Sequence, residues 1–276
     1  MGLFGKLFEK KECAICGDEI GLLGNRKLED GNMCKACAGK LSPWFDERRH
    51  STVSQIEDQL EYREANKAEV AAFHTTLSLG EGVKVLIDEN AGRFMVTSAR
   101  NLADANPDVL KLSDITGCTF DIDEDVDEIM QRDGDGEPES YNPPRFSHSY
   151  DFFIAISVNN PYFDEMRFKL NNRRVEVEEH RSIGRPVDQG GVNIVIGALA
   201  NASSGAFDPE ANAEYRAYRS LCEQITSTLL QSRQSARDDI AAASAPKAAV
   251  TCPFCGATTA PTATNRCEFC GGALGA

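Results

Sequence analysis

The chain reads as an α+β protein: a central antiparallel sheet or small barrel closed by a long C-terminal helix, with a small metal-binding module at each end. Three observations carry that reading. Cysteines stand in paired C-x-x-C motifs at both ends, apolar residues alternate with period two through the middle, and a three-and-four-residue apolar stripe follows. With 276 residues and 41% apolar content, the chain can bury a real core and still carry small appendages.

Residues 1–11, "MGLFGKLFEKK", form an amphipathic leader. Leu3, Phe4, Leu7 and Phe8 would share one side of a helical turn, with Lys6, Lys10 and Lys11 nearby. Such a segment suits peripheral membrane contact or docking onto the adjoining module. Residues 12–45 hold the first cysteine cluster. A connecting helix is expected within 46–73, where Thr52 and Gln55 fit a capping box. Val53, Ile56, Leu60, Val70 and Phe73 recur there at roughly helical intervals.

Residues 74–234 are expected to form the central domain. "VKVLIDENAGRFMV" reads as two strands around a turn at Asn90–Gly92. "CTFDI" places Cys118, Phe120 and Ile122 on one face. "YDFFIAISV" does the same with Tyr150, Phe152, Ile154, Ile156 and Val158, and "MRFKL" with Met166, Phe168 and Leu170. Several half-buried strands in succession imply antiparallel pairing. Asp208 is placed to cap a helix with Pro209 in its first turn. Tyr215, Tyr218, Cys222, Ile225 and Leu229 then make the stripe, with Cys118 and Cys222 expected as core cysteines. Residues 235–250 read as a frayed helix end passing into a flexible linker, and 251–276 hold the second cluster.

The first cluster comprises Cys13, Cys16, Cys34 and Cys37; the second comprises Cys252, Cys255, Cys267 and Cys270. Zn2+ takes four sulfur or nitrogen ligands in a tetrahedron, and a C-x-x-C turn brings two thiolates to one ion. Gly17 after Cys16 allows the positive φ of a tight metal-binding knuckle, Gly31 suits a turn before the second pair, and "CKACAGKL" can start a short helix stopped near Pro43. Knuckle, hairpin and helix-borne pair resemble a treble-clef zinc finger. The C-terminal pairs, C-P-x-C-G and C-x-x-C-G-G, resemble a zinc ribbon. A redox dithiol would sit on a strand-to-helix turn of a βαβ unit, and catalytic zinc would keep an open position. Neither setting is present, so two structural Zn2+ sites are expected. Phe254 and Phe269 beside the ribbon's knuckles either fill its small core or meet a partner.

Other signals are weaker. Residues 121–139 carry ten acidic residues against Arg132 alone and read as a solvated loop. A calcium loop fails there in both registers: from Asp121, Val126 and Arg132 occupy the positions of the central Gly and terminal Glu, and from Gln131 the last position is Asn142. His50, His74, His148 and His180 are scattered, and no nucleophile elbow, phosphate loop or dinucleotide fingerprint occurs. Catalytic residues are therefore not assigned. Basic residues number 29 against 43 acidic, a formal charge of −14 that opposes nucleic-acid binding as the main activity. Eight thiolates around two Zn2+ would lower that to about −18. A nucleic-acid alternative would need one cationic face built from Arg26, Lys27, Lys35, Lys40, Arg48 and Arg49. The longest apolar stretch, "VNIVIGALA", is too short to span a membrane, and Lys6 stands where a myristoylation signal wants Ser or Thr. With no secretory signal either, the expected compartment is the cytoplasm, where thiols stay reduced.

The first cluster, with Lys40–Leu41 and Trp44–Phe45 after it, resembles an N-terminal four-cysteine module of bacterial proteins of unknown function. The order of central strands and closing helix is similar to a pleckstrin-homology-like domain, which would imply binding of lipid, peptide or protein. Together these imply a non-enzymatic zinc adaptor or assembly protein that binds a protein partner. The rival is an enzyme whose site gathers scattered residues, such as His148 with a Glu or Asp in a deep pocket.

Overall fold

The computed structural model describes residues 11–178, 187–189, 192–194, 207–244, 249–262 and 264–274. The leader up to Lys10, His180 and linker residues 245–248 lie outside the described residues. The chain divides into two compact units, one ending at Arg233 and the other beginning at Gln234.

The first unit opens with the finger: β1 (Lys11–Glu12), β2 (Glu19–Ile20), β3 (Arg26–Lys27), β4 (Asn32–Met33) and α1 (Lys35–Ala38). β1 pairs with β2 and β3 with β4, both antiparallel. α2 (Val53–Ala72) follows with the expected capping box, Thr52 accepting from the Gln55 N–H and Gln55 accepting from that of Thr52. Its inner face differs from expectation. Ile56 and Val70 are buried, but Gln59, Arg63 and Asn66 are buried with them while Leu60 is only partly covered.

Arg63 and Asn66 hold the finger to the central domain. Arg63 Nη1 lies 2.7 Å from Asp108 Oδ1, and the Ser42 hydroxyl donates to Asp108 Oδ2 at 2.8 Å. Arg63 Nε also donates to the Lys40 carbonyl at 3.3 Å, and Asn66 accepts from the Val109 N–H at 2.9 Å. The finger is thus bolted through α2 rather than hung on a tether. Burial raises the Asp108 pKa against the pull of Arg63 and Ser42. A buried pair of this kind contributes docking geometry more than net stability.

The central domain contains two four-stranded antiparallel sheets. The first takes β5 (Leu77–Leu79), β6 (Lys84–Asp88), β7 (Arg93–Thr97) and β8 (Leu110–Lys111) in sequence order, with α3 (Leu102–Ala105) between its last two strands. The second contains β9 (Ile115–Arg132), β10 (Pro138–Val158), β11 (Glu165–Lys169) and β12 (Val175–Glu178), all paired to β10. β13 (Val187–Gln189) and β14 (Val192–Ile194) form a separate hairpin. The even face of β10 is buried as expected, with Phe152, Ile154 and Ile156 fully enclosed.

Two expectations are corrected here. The acidic stretch 121–139 is not a loop: β9 runs through it to Arg132, paired antiparallel with β10 across a bulge between Ser140 and Arg145. Counting charge hid a period-two pattern whose acids meet cations across the sheet. Arg167 bonds Asp121 at 2.9 Å and Arg174 bonds Asp125 at 2.6 Å, and on β10 Asp151 takes Lys169 at 2.5 Å. Asp208, next, caps only a short 3-10 turn. Asn212 caps α4 (Ala213–Ser244), accepting from the N–H groups of Glu214 and Tyr215. In the first unit α4 covers the β10 face through Tyr215, whose ring centre lies 4.8 Å from Tyr150 and 5.3 Å from Phe152. Cys118 and Cys222 are buried, as expected.

In the second unit, α4 continues to Ser244, so residues 235–244 are helix and not linker. Alanine is the strongest helix former, and the run after Ser235 is rich in it. β15 (Val250–Thr251) and β16 (Thr258–Thr259) then pair in the C-terminal module.

Candidate metal centres

Each cysteine pair sits on a knuckle that the backbone closes. The N–H of Gly17 donates to the Cys13 carbonyl at 2.8 Å, and those of Gly256 and Gly271 donate to Cys252 and Cys267 at 2.9 Å. All three glycines have φ near +70°, a region side chains with a Cβ rarely adopt. In the finger the second pair rides on α1: Cys34 is its N-cap and accepts from the Cys37 N–H at 3.3 Å.

These knuckles bring Cys13, Cys16, Cys34 and Cys37 together, with all four sulfurs within 4.8 Å of one another. Cys252, Cys255, Cys267 and Cys270 meet the same limit in the second unit. Sulfurs at about 2.3 Å from a central ion lie about 3.8 Å apart at tetrahedral angles. Cys16–Cys34 is 3.8 Å, Cys252–Cys270 is 3.6 Å and Cys255–Cys267 is 3.7 Å. The thiols are free, and a disulfide would need sulfurs at about 2.05 Å. The donor sets fit a metal ion, each as a closed four-sulfur shell.

Electrostatics support that fit. Burial opposes ionisation of Cys13, but N–H groups of Cys16, Cys34 and Ile15 outweigh it and lower its pKa to about 6. Burial likewise opposes Cys252, and the N–H groups of Cys255 and Phe254 bring it to about 7. Cys270 goes the other way: the Gly272 N–H favours its thiolate, yet the sulfurs of Cys255 and Cys252 push it up to about 12. Burial and three neighbouring sulfurs raise Cys37 too. The backbone favours the thiolate at Cys13 and Cys252, and a cation in the cage would offset the repulsion that raises Cys37 and Cys270.

The two cages differ in what surrounds them. The finger packs Ile20, Leu28, Met33, Leu41 and Ile56 against its cysteines. Among the described residues the ribbon's buried apolar cluster is Cys252, Cys267 and Leu274. Phe254 and Phe269 occupy the same position on the two knuckles and are 71% and 70% exposed, so they do not fill its core.

The other candidates are partly gathered. His148 Nδ1 lies 2.7 Å from Glu124 Oε1, to which the Tyr150 hydroxyl donates at 2.8 Å. His148 and Tyr150 together lower the Glu124 pKa. Phe207 stacks on the imidazole at 3.7 Å, and the nearby cleft of about 410 Å3 includes Glu124 but not His148. His74 lies apart, its ring bonded to the Ala72 carbonyl. Of the six cations in and just after the finger, Arg26 and Arg49 stand close enough to lower the Arg48 pKa after burial does, and Arg48 donates to the Lys27 carbonyl at 2.8 Å. The turn leucines Leu22 and Leu23 escaped sequence reading. They are 84% and 92% exposed, and only their place between two glycines in a short hairpin could have signalled it.

A family model described as a domain of unknown function (DUF4428) matches residues 11–59. That span holds the finger and the first turns of α2, in line with the resemblance of the four-cysteine module. No curated protein and no solved structure matches, so the pleckstrin-homology-like likeness has no counterpart among the comparisons.

Proposed function

We propose that both cages hold structural Zn2+ and that the chain is a cytoplasmic, non-enzymatic adaptor whose ribbon binds a protein partner. The observation that carries this reading is the exposure of Phe254 and Phe269, each directly before a cysteine of a cage that a closed four-sulfur shell makes rigid. Exposed aromatics on a rigid support are favoured binding anchors, because they bury large area with little conformational entropy lost. Four sulfurs leave no open coordination position for metal-assisted chemistry. Among the described residues no helix is long and apolar enough to cross a membrane.

The test is affinity capture with the full chain and with Phe254→Ala/Phe269→Ala. The double variant is expected to keep its zinc content and to lose partner retention by at least about tenfold. Unchanged retention would remove the ribbon from the binding surface.

A further inference from the structure

We propose that the finger carries a second, independent docking site: the turn between β2 and β3 inserts Leu22 and Leu23 into the interface of an anionic membrane, with Arg26, Arg48 and Arg49 on lipid phosphates.

The turn is built rather than loose. Gly24 donates to the Gly21 carbonyl at 2.9 Å, which sets Leu22 and Leu23 at the two corners. Asn25 Nδ2 bonds Asn32 Oδ1 at 3.0 Å and pins the base of the turn to β4. On either side the fold draws apolar residues inward: Ile20 and Leu28 are buried. The two leucines between them are the most exposed large apolar residues described in the chain. They form a convex tip, a shape that enters a deformable lipid interface and cannot itself enclose a ligand.

A cation sits at the root of that tip, with two more close by. Arg26 Nη1 donates to the carbonyls of Leu23 and Asn25 at 3.3 and 3.2 Å, so its guanidinium sits at the root of the turn. Arg48 reaches the Lys27 carbonyl from the short 3-10 turn after the finger. Burial and then the charges of Arg26 and Arg49 lower the Arg48 pKa, with no carboxylate compensating. Among the described residues no ion pair satisfies Arg26, Lys27, Arg48 or Arg49. Crowded guanidiniums gain most from an anion that bridges them, and a phosphate does this with bidentate geometry. An apolar tip with Arg26 at its root and Arg48 and Arg49 crowded against Arg26 and one another is complementary to an anionic bilayer, whose phosphates lie just above the acyl chains. Lys11 also pairs with Ile20 across β1–β2, so the chain enters the finger beside this turn. The protein's overall charge of −14 makes the attraction local to the finger.

The experiment is co-sedimentation of the zinc-loaded full chain with vesicles of phosphatidylcholine alone or mixed with phosphatidylglycerol. The wild type is expected to sediment with the mixed vesicles and not the neutral ones. Leu22→Ser/Leu23→Ser should lose at least about tenfold in apparent affinity, and Arg26→Gln/Arg49→Gln about fivefold per cation removed. Both variants should keep the wild-type zinc ratio, since the exposed leucines support no core. A Leu23→Trp variant adds a readout independent of affinity: its emission should shift to the blue with mixed vesicles only. Absence of sedimentation, equal sedimentation with neutral vesicles, or retention untouched by the leucine change would overturn the proposal. So would full displacement by a single-stranded oligonucleotide whose own binding survives the leucine change, which would make the arginines a nucleic-acid site.

Discussion

Cys34→Ser is expected to release one metal ion and to unfold the finger together with the first half of α2, while the second sheet of the central domain keeps its structure. Metal binding supplies folding free energy on the order of 10 kcal/mol in small sites of this type. The finger's apolar core is Ile20, Leu28, Met33, Leu41 and Ile56 around two buried cysteines, too little to replace it. Ile56 belongs to α2, and Val53 and Leu60 pack on the same cluster, so losing the cage strips one side of the helix. The damage should stop at β9 and β10, whose core is Phe152, Ile154 and Ile156 under α4. Hydrogen exchange would show protection lost over residues 11–60 and retained over β9 to β11. Equal loss in both regions would mean that the cage supports the whole unit.

Asp108→Ala is expected to cost about 3–5 kcal/mol in urea unfolding at neutral pH, because it leaves the Arg63 guanidinium buried without its carboxylate. The side chains are 7% and 0% exposed, so water cannot substitute. Ser42 would lose its acceptor as well, loosening the finger where it meets the loop before β8. Arg63→Met/Asp108→Leu should cost much less than the single change, since neither partner is then left charged in the core. A double variant as unstable as Asp108→Ala would show that the pair contributes net stability and not only geometry.

The sequence made several features readable because each rests on a local rule. Cysteine spacing named all eight residues of the two cages, and Thr52 with Gln55 marked the start of α2. Alternation placed the buried faces of β9 and β10 correctly at Cys118 and Tyr150 through Val158. What escaped were residues whose roles depend on distant partners. Gln59, Arg63 and Asn66 follow the helical period of Ile56 and Val70, but an apolar count passes over them. Gln59 is buried with neither side-chain polar atom hydrogen-bonded among the described residues, a choice no propensity would suggest. The acids of β9 looked like a solvated run because Arg167 and Arg174, which pair with Asp121 and Asp125, arrive some forty to fifty residues later. Leu22 and Leu23 gave no periodic signal at all, since a two-residue tip has none.

X-ray absorption at the zinc edge of the protein as purified under reducing conditions tests the central claim most directly. The account predicts an edge height equal to two zinc ions per chain and a single shell of four sulfurs at about 2.3 Å. A shell containing nitrogen or oxygen ligands, or a folded protein without zinc, would contradict it.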